Sequence, residues 1–586
     1  MKFAAVSPTF ESLTCKTKAL MARRLIRRQV AHTLPDIPPL LNRLFVGRGI
    51  VSGEDLDHSL SNLLSPDTFK GMDDAVSVLQ ETITNQQQIL IIGDFDADGA
   101  TSSALMVSGL RAMGARHVDY LVPDRFKYGY GLTPEIVTAA LEFSPDLIVT
   151  VDNGISSIEG VDAANEHGIK VVITDHHLSG EVLPSAHAIV NPNQKGCEFP
   201  SKAIAGVGVA FYLLSALRTS LRKTDWFEQR LEPNLADYLD LVALGTISDV
   251  VPMDKNNRIL VAQGIRRIRA GRARPGIYAL ISVAGAEFQQ ITTRDLAFGV
   301  GPRLNAAGRL ENMSLGIECF LSQGERAVEL ANELDTINKE RKNIEAGMKV
   351  QAEQHIQQAL KNDESDKVGI CLFHPDWHQG VVGIVASRMK EKFHRPVIAF
   401  ARAGDNELKG SGRSIAGLHI RDALDSIATK NPGLLVKFGG HAMAAGLSIE
   451  PHNYDEFSRL FDEEASRWLT DEYLEQVLVS DGEIEEELSL SLVKSIVEAA
   501  PWGQAFPEPL FDGEFEVMDQ RIVAEKHLKL KLRPVNEANT VEAIAFFHDR
   551  LLERRNLRLA YRVDINRYRG RESVQLIIES TDLSMS

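Results

Sequence analysis

The chain has few cysteines and no long hydrophobic run. Its four cysteines, Cys15, Cys197, Cys319 and Cys371, lie far apart and form no CxxC pair, which disfavours a disulfide framework or a zinc ribbon and favours a reducing compartment. No apolar run approaches the roughly 18 residues that a membrane helix needs, and Lys2 is followed by no secretory pattern. These absences predict a soluble, cytoplasmic protein.

Positive charge is also scarce. The 586 residues include 80 Asp and Glu against 64 Lys and Arg, for a net charge of −16. Such a chain is not covered in phosphate-binding charge, so any nucleic-acid site must be a local groove or depend on bound cations. The basic stretch at residues 16–28 fits a solvated helix face about as well as a nucleic-acid contact.

Four short apolar runs lie between residues 89 and 174, with stretches of helical composition between them. The runs end near residues 94, 123, 152 and 175, and successive ends are separated by about the length of one βαβ unit. Such runs predict buried parallel strands. Parallel strands place their carboxyl ends on one edge of the sheet, where open α/β sheets bind ligands.

The remaining segments indicate several domains, and the length predicts about three or four. Residues 323–362 have apolar side chains at intervals of three, four or seven, which predicts a helix that connects two domains. A helix packed within one domain is the alternative. We predict an N-terminal segment of helices and loops at residues 1–80, a parallel-sheet catalytic domain at 81–322, the connecting helix at 323–362, a second α/β domain at 363–470 and a β-barrel at 480–586.

Acidic and histidine residues are concentrated where the predicted strands end. Clustered carboxylates repel one another unless they are protonated or neutralised by cations. Carboxylate oxygens with imidazole nitrogens suit Mn²⁺ or Mg²⁺, and so many acidic groups predict two ions about 3.5–4 Å apart. The candidates at the strand ends are Asp94, Asp96, Asp98, Asp152, Asp175, His176 and His177, and Asp249 joins them only if folding brings it there.

A solvated turn or a calcium loop can also contain alternating aspartates. An EF-hand would need Glu at the twelfth position from Asp94, where this chain has Leu105. Asp152 stands alone on the central strand of the group, so we expect it to bridge the two ions. Bridged ions would lower the pKa of a shared water, and the hydroxide could attack phosphorus while the metals hold the non-bridging oxygens.

These motifs resemble those of the DHH phosphoesterase superfamily. The matching segments are DFDADG at residues 94–99, VDNG at 151–154 and DHH at 175–177, and GGHAMAAG at 439–446 is similar to the glycine-rich motif of the partner domain DHHA1. The order of the parts, from about residue 40, resembles that of bacterial single-strand-specific 5′→3′ DNA exonucleases.

The resemblance implies an enzyme of DNA recombination and repair that uses Mn²⁺ or Mg²⁺ to release 5′-mononucleotides from single-stranded DNA. A single-strand-binding protein and a helicase are the protein partners expected from the family. It implies catalytic roles for Asp152, His176 and His177. It implies metal ligands at Asp96, Asp98, Asp152, His176 and Asp249, with Asp94, Asp175 and His177 as further ligands or as supports of the ligands.

A 5′→3′ exonuclease also needs residues that hold the 5′ end. Arginine fits phosphate with two parallel hydrogen bonds, and glycine-rich backbone can approach a phosphate closely; a surface salt bridge is the alternative for each arginine. We expect His441 to stabilise charge at the scissile phosphate, unless it belongs to a structural glycine turn. The predicted substrate-binding residues are Arg125, Arg303, Asn305, Arg309, Ser411, Arg413, Gly439, Gly440 and His441.

The C-terminal segment mixes basic and aromatic residues. Lys529, Arg533, Arg562 and Arg567 alternate with apolar or aromatic neighbours, and Phe546 lies between them in sequence. This pattern suits single-strand binding by an OB-like barrel, although a solvated sheet face would look similar. Two other functions stay open, a phosphodiesterase for short oligonucleotides or cyclic dinucleotides and an inactive DNA-binding scaffold. The chain length and the basic segment favour the exonuclease.

Overall fold

The computed structural model describes most of the chain as two compact units. We call residues 32–340 and 498–508 the sheet unit, and residues 23–31, 341–497 and 509–585 the barrel unit. No helix in the described part of the chain is long and apolar enough to cross a membrane. The described residues are 23–124, 127–361, 367–404, 406–535, 537–568, 570–581 and 583–585.

A parallel five-stranded sheet lies in the sheet unit. Two of its strands, Ile89–Gly93 and Leu147–Val151, are buried at every residue, as expected where both faces of a sheet are covered. The four predicted strands are confirmed; the fifth has only three residues, too few to give a sequence pattern. In spatial order the strands are Val118–Leu121, Ile89–Gly93, Leu147–Val151, Lys170–Thr174 and Ala188–Val190.

Helices make up most of the rest of the sheet unit. The helix Leu239–Ser248 is buried from Leu239 through Ile247, because a helix that is apolar on every side is stable only inside a protein. The α-helices that lie wholly in this unit are Pro39–Val46, Met72–Thr84, Ala97–Ala112, Pro134–Ala140, Ile158–Glu166, Gly206–Arg222, Leu239–Ser248, Lys255–Arg269, Pro275–Val283, Gly301–Leu310 and Ser314–Leu321.

The predicted long helix is confirmed and runs from Gly324 to Lys361. It begins in the sheet unit and continues into the barrel unit from residue 341 on. Ion pairs one turn apart join Arg341 to Glu345 and Lys339 to Asp335. Pairs of opposite charge at this spacing stabilise a helix.

A mixed five-stranded sheet forms the first part of the barrel unit. Only Ile370–Phe373 and Val397–Arg402 pair in parallel; the other neighbours are antiparallel. In spatial order the strands are Lys437–Gly440, Ala444–Ile449, Leu408–Arg413, Val397–Arg402 and Ile370–Phe373. The helices of this part are Val382–Phe393, Ile420–Lys430, Tyr454–Trp468 and Asp471–Leu474.

The C-terminal segment contains the predicted barrel, which is closed. Leu528, Leu530 and Leu532 are at most 1% exposed, so the alternating apolar residues face the barrel interior. One expectation was wrong, because the helix Leu490–Val497 precedes the barrel in a segment that looks all-β in sequence. Around the barrel the strands are Phe511–Val523, His527–Pro534, Val541–Ala545, Arg571–Ser580 and Asn556–Tyr568.

The described part of the N-terminal segment has the predicted helices and loops from residue 32 on, but it begins with a strand. Arg23–Arg27 is a strand that pairs in parallel with Gln476–Ser480 and Leu583–Met585. Arg27 donates a 2.7 Å hydrogen bond to the fully buried Asp512. The prediction of a solvated helix face is therefore wrong for these residues, since the strand's partners come from the far end of the chain. Residues 16–22 and Cys15 lie outside the described residues.

Candidate metal centre

The carboxyl ends of the parallel strands bring distant acidic residues together. Asp94, Asp152 and Asp175 directly follow three of the strands, and Asp249 lies at the carboxyl end of the helix Leu239–Ser248. The side chains form three overlapping groups in which all the candidate ligand atoms are within 4.8 Å of one another. The groups are Asp94, Asp96 and Asp152; Asp152, His176 and His177; and Asp98, His176 and Asp249.

Asp152 belongs to two of these groups and is 2% exposed. Its φ of +61° is uncommon for a residue other than glycine. The backbone N–H of Asp152 donates to the carbonyl oxygen of Thr174 at 3.0 Å, and the carbonyl oxygen of Asp152 accepts from the Tyr130 hydroxyl at 3.2 Å. The surrounding backbone therefore holds a strained conformation at the residue that was expected to bridge two ions.

Two helix N-termini hold the aspartates of the first motif. Asp96 caps the helix Ala97–Ala112, and its carboxylate accepts the backbone N–H groups of Asp98 and Gly99 at 2.9 and 3.0 Å. Asp98 is 1% exposed, and its oxygens accept the N–H groups of Gly206 and Val207 at 2.7 and 2.9 Å. Gly206 and Val207 begin the helix Gly206–Arg222, whose N-terminal dipole favours a negative charge.

His176 lies between two of the carboxylates. Its Nε2 is 3.1 Å from Asp152 Oδ1 and 3.4 Å from Asp249 Oδ2. All three atoms are buried, and none makes a hydrogen bond to another described residue. Buried polar atoms normally have partners, and an imidazole nitrogen with two carboxylate oxygens suits Mn²⁺ or Mg²⁺. The residues present therefore fit a divalent cation.

Asp175 has a different environment. Its Oδ1 accepts hydrogen bonds from the ring Nδ1 and backbone N–H of His177, at 2.7 and 3.1 Å, and from the backbone N–H of His176 at 2.7 Å. Its Oδ2 accepts the N–H of Ile155 at 2.9 Å. These hydrogen bonds hold the backbone of both histidines and the ring of His177 in place, and none of the three ligand groups includes Asp175.

The clustered charges shift the pKa values of the site. Burial, with the charge of Asp249, raises the pKa of Asp98 to about 7, and burial with the charge of Asp96 raises the pKa of Asp249 to about 7. Burial also raises the pKa of Asp152, whereas it lowers the pKa of His176. The raised pKa values mean that the site disfavours the negative charge of its carboxylates, and the lowered pKa of His176 favours the neutral ring, which is the form that binds a metal. A divalent cation would replace the protons and relieve the repulsion.

Arg303 makes several hydrogen bonds within the sheet unit. Its guanidinium donates to Asp335 at 2.8 Å and to the carbonyl oxygens of Gly299 and Val283 at 2.6 and 3.1 Å. The side chain is 11% exposed. These contacts fasten helices of the sheet unit together, and the binding of a substrate phosphate by Arg303 stays a prediction.

The other substrate-binding candidates of the sheet unit lie in different places. Asn305 accepts the backbone N–H of Ala97 through its side-chain oxygen at 2.8 Å, so it fixes the turn that carries Asp96 and Asp98. Arg309 is on the same helix, Gly301–Leu310, and is partly exposed. Arg125 lies outside the described residues.

The barrel unit groups the remaining substrate-binding candidates on one sheet. Strand pairing places Gly439, Gly446 and Ser411 side by side. Arg413 donates to the Ser411 hydroxyl at 3.1 Å. His441, at the end of the strand Lys437–Gly440, is exposed, and its backbone N–H donates to Ala444 at 2.8 Å.

Trp377 belongs to the core of the barrel unit. It is 5% exposed and donates its ring N–H to Gln351 at 2.8 Å.

Several basic residues of the barrel are paired with acidic side chains, which weakens the prediction of a basic DNA-binding surface. The pairs are Lys529–Glu542, Arg533–Glu516, Arg562–Glu579 and Arg567–Glu572.

Sequence reasoning missed three residues that support the histidines. The Tyr130 hydroxyl is 3.1 Å from His177 Nδ1. Asn193 donates to the His176 carbonyl oxygen at 2.5 Å, and Asn191 donates to the His177 carbonyl oxygen at 3.0 Å. The two asparagines follow the short strand Ala188–Val190, so recognising that strand would have pointed to them.

Three family matches cover most of this architecture. The DHH family, N-terminal domain, matches residues 88–246. The DHHA1 domain matches residues 365–467, and the RecJ OB domain matches residues 480–580.

Individual relatives match over nearly the whole chain. The single-stranded-DNA-specific exonuclease RecJ of Dickeya dadantii is 54% identical over 566 residues, covering 95% of this chain and 98% of that protein. The protein of the same name from Escherichia coli is 51% identical over 569 residues, with coverage of 95% and 98%. The crystal structure of RecJ in complex with Mn²⁺ from Thermus thermophilus superimposes with a TM-score of 0.76 at 29% identity, covering 95% of this chain and 79% of that chain.

Proposed function

We propose that this chain, which belongs to the RecJ family of single-stranded-DNA-specific exonucleases, degrades single-stranded DNA from the 5′ end. The products would be 5′-mononucleotides, and the enzyme would act in DNA recombination and repair. One observation carries the proposal, the buried group of Asp152, His176 and Asp249, whose facing atoms have no other hydrogen-bond partner among the described residues.

Mn²⁺ or Mg²⁺ is the proposed cofactor, with two ions for each site. When bound, such ions supply a water nucleophile at neutral pH and neutralise the charge that develops on phosphate. Asp94, Asp96, Asp98, Asp152, His176 and Asp249 would hold the ions.

The remaining residues of the site act on these ligands or on the substrate. Asp175 orients His176 and His177 through three hydrogen bonds to its Oδ1. Fixed in this way, the His177 ring lies in the same group as Asp152 and His176, where we place it next to the scissile phosphate. We assign His441, in the glycine-rich motif of the barrel unit, to stabilising charge on a substrate phosphate.

A phosphodiesterase for short oligonucleotides or cyclic dinucleotides is the alternative. Long single strands labelled at the 5′ or the 3′ end, a matching duplex and a dinucleotide distinguish the two, each with Mn²⁺, Mg²⁺ or a chelator. We expect mononucleotides from the 5′ end of the single strand, and no product with the chelator. Turnover of the dinucleotide alone would replace the exonuclease proposal with the alternative.

We also propose a cytoplasmic location and two protein partners, a single-strand-binding protein and a helicase. Cys197, Cys319 and Cys371 are free thiols, which suits a reducing compartment. Sedimentation of the chain mixed with a purified single-strand-binding protein tests the first partner. Two species that sediment independently would count against it.

The 5′ phosphate is assigned to the sheet of the barrel unit. A Cβ placed on Gly439 or Gly446 would meet no atom within 4 Å, so the sheet is open beside Ser411. Arg413 and Ser411 are joined by a hydrogen bond, which orients the guanidinium. Together the backbone, the hydroxyl and the guanidinium provide donors for a terminal phosphate.

Replacing Arg413 with Ala is expected to lower the preference for a 5′-phosphorylated over a 5′-hydroxyl end by roughly 10- to 100-fold, because hydrogen bonds to charged groups contribute about 1.5–3 kcal/mol. The ratio of kcat/KM for the two ends measures this preference. Arg402→Ala, an exposed arginine of the neighbouring strand Val397–Arg402, is the matched control. An unchanged ratio in Arg413→Ala would remove the residue from the phosphate site.

The barrel carries an aromatic surface that could bind bases. Phe546 and Phe547 are 48% and 77% exposed, and the ring of His527 lies 5.3 Å from each. The backbone N–H of Phe547 donates to His527 at 3.0 Å, and Lys349 Nζ lies 5.8 Å from the Phe547 ring. Exposed rings beside a cation suit stacking by single-stranded bases near a phosphate.

Phe547→Ala is expected to weaken the affinity for single-stranded DNA by roughly 5- to 100-fold, since stacking on an aromatic side chain contributes about 1–3 kcal/mol for each base. Fluorescence anisotropy with a labelled oligonucleotide, at one salt concentration, measures the change. Trp468→Ala removes another ring of the same unit, 58% exposed but outside the barrel, and should have no effect. Equal affinities for both variants would contradict this assignment.

A further inference from the structure

One short segment packs away from its neighbours in sequence. Residues 498–508 lie between the helix Leu490–Val497 and the strand Phe511–Val523, which both belong to the barrel unit, but they themselves belong to the sheet unit. We call residues 500–508 the strap. Its two large side chains, Trp502 and Phe506, are 4% and 1% exposed, so the strap is built into the core of the sheet unit.

A stack of rings and arginines anchors the strap. The rings of Phe45 and Trp502 stack at 6.2 Å, and those of Trp502 and Phe506 at 5.3 Å. The guanidinium carbon of Arg48 lies 5.2 Å from the Trp502 ring, and that of Arg258 lies 4.6 Å from the Phe506 ring. Stacked aromatic pairs and cation–π contacts both stabilise packing, and Trp502 takes part in three of these contacts, so it is central to the anchoring of the strap.

The strap holds the end of the turn that follows Asp249. Val250, the next residue, has a φ of +61°, which is unfavourable for a β-branched side chain and persists only when the surroundings impose it. Met253 ends the turn and is 2% exposed. Its N–H donates to the strap carbonyl of Gln504 at 2.8 Å, and its carbonyl oxygen accepts from Arg258 at 2.9 Å.

Gly503 of the strap lies close to Met253 and faces Ile247, which are on opposite sides of Asp249 in sequence. A Cβ on Gly503 would lie 2.7 Å from Met253 Cγ and 3.9 Å from Ile247 Cδ1. Only glycine permits this approach, which places the strap backbone directly against the base of the turn. Ile247 precedes Asp249 in the helix Leu239–Ser248, and Met253 follows it.

We propose that the strap positions Asp249 and thereby sets the affinity of the group Asp98, His176 and Asp249 for its cation. Trp502 and Phe506 are positioning residues, because they act on Asp249 through other residues of the turn and the strap. The connections are the Gln504–Met253 hydrogen bond, the Gly503 contact, and Arg258, which lies against Phe506 and donates to Met253. Without the strap, Val250 can relax to an ordinary conformation, and the Asp249 carboxylate turns away from His176. The inference rests on one part of the proposed function, namely that the group Asp98, His176 and Asp249 binds Mn²⁺.

The first test measures Mn²⁺ binding to the full chain by calorimetry, without DNA. Trp502→Ala is expected to weaken one class of Mn²⁺ site by about 10- to 100-fold, the usual effect of removing a residue that orients a ligand. Trp502→Phe keeps a stacked ring and should restore most of the affinity. Leu79→Ala, a fully buried change on the helix Met72–Thr84, which carries no candidate ligand, controls for a general loss of stability.

A second variant separates positioning from packing. Asn tolerates the left-handed region far better than Val, so Val250→Asn lets the turn keep its shape without help. Added to Trp502→Ala, it should recover most of the lost Mn²⁺ affinity. If Trp502→Ala does not fold, Gly503→Val provides the same comparison, because it pushes Met253 without removing a core ring.

Three results would overturn the proposal. They are a folded Trp502→Ala variant with unchanged Mn²⁺ affinity, an equal loss in Leu79→Ala, and no recovery on adding Val250→Asn. A wild-type chain that binds Mn²⁺ but does not degrade single-stranded DNA would contradict the proposed function and leave the role of the strap intact.

Discussion

Replacing Asp152 with Asn is expected to lower the rate of DNA hydrolysis by more than about 10³-fold, because bound metals contribute several kcal/mol to transition-state stabilisation and each 1.36 kcal/mol corresponds to a tenfold change in rate. Asp152 belongs to two of the three ligand groups. Asn keeps the shape of the side chain but removes the negative charge that two cations would share. Both ions should therefore bind more weakly.

DNA binding should survive this substitution. The residues assigned to the DNA, Arg413 and Phe547, belong to the barrel unit, whereas Asp152 belongs to the sheet unit. Single-turnover hydrolysis and anisotropy of a 5′-labelled oligonucleotide measure the two properties separately. Asp162→Asn, an exposed aspartate on the helix Ile158–Glu166, makes the same change of charge and should leave both properties unaltered.

The Asp152→Asn result can contradict the proposal in two ways. Equal loss of hydrolysis and DNA binding would mean that the metals mainly anchor the substrate. Full activity would mean that the hydrolysis does not come from this site. That result would favour the alternative in which the chain binds DNA and the site is inactive.

Gly206→Ala is expected to lower kcat by roughly 10²-fold, although Gly206 has no side chain to bind metal or substrate, since a misplacement of about 1 Å costs that much in catalysis. A Cβ at Gly206 would lie 2.7 Å from both Cβ and Oδ1 of Asp152. The backbone N–H of Gly206 also donates to Asp98 at 2.7 Å. One added methyl group therefore displaces two candidate ligands at once.

Steady-state kinetics at saturating DNA and Mn²⁺ test this second expectation. Gly53→Ala is the control, because a Cβ there would meet no atom within 4 Å, and it should behave as the wild type. A Gly206→Ala enzyme with unchanged kcat would mean that Asp152 and Asp98 are held less tightly than the structure indicates.

The parts of the site that depend on sheet topology could be predicted from the sequence. Apolar runs identify parallel strands, and the direction of those strands brings Asp94, Asp152 and Asp175 to one edge. The long helix and the barrel also have clear periodicities. Asp249 joins the others only through the packing of the helix Leu239–Ser248, so its place came from the family resemblance and not from a pattern.

Features that depend on long-range pairing could not be predicted. The strand Arg23–Arg27 looks like a basic helix because its partner strands are more than 450 residues away in sequence. The sequence likewise gives no sign that Asp335 and two carbonyl oxygens accept hydrogen bonds from Arg303. The strap carries no periodic signal, and only folding places Gly503 against Met253.

Anomalous diffraction from crystals soaked in Mn²⁺ is the most direct test of the metal centre. We predict two peaks about 3.5–4 Å apart, with the Asp152 carboxylate between them. One peak should lie beside Asp98, His176 and Asp249, and the other beside Asp94 and Asp96. No peak at this edge of the sheet, or an Asp249 side chain directed away from His176, would contradict the two-ion site.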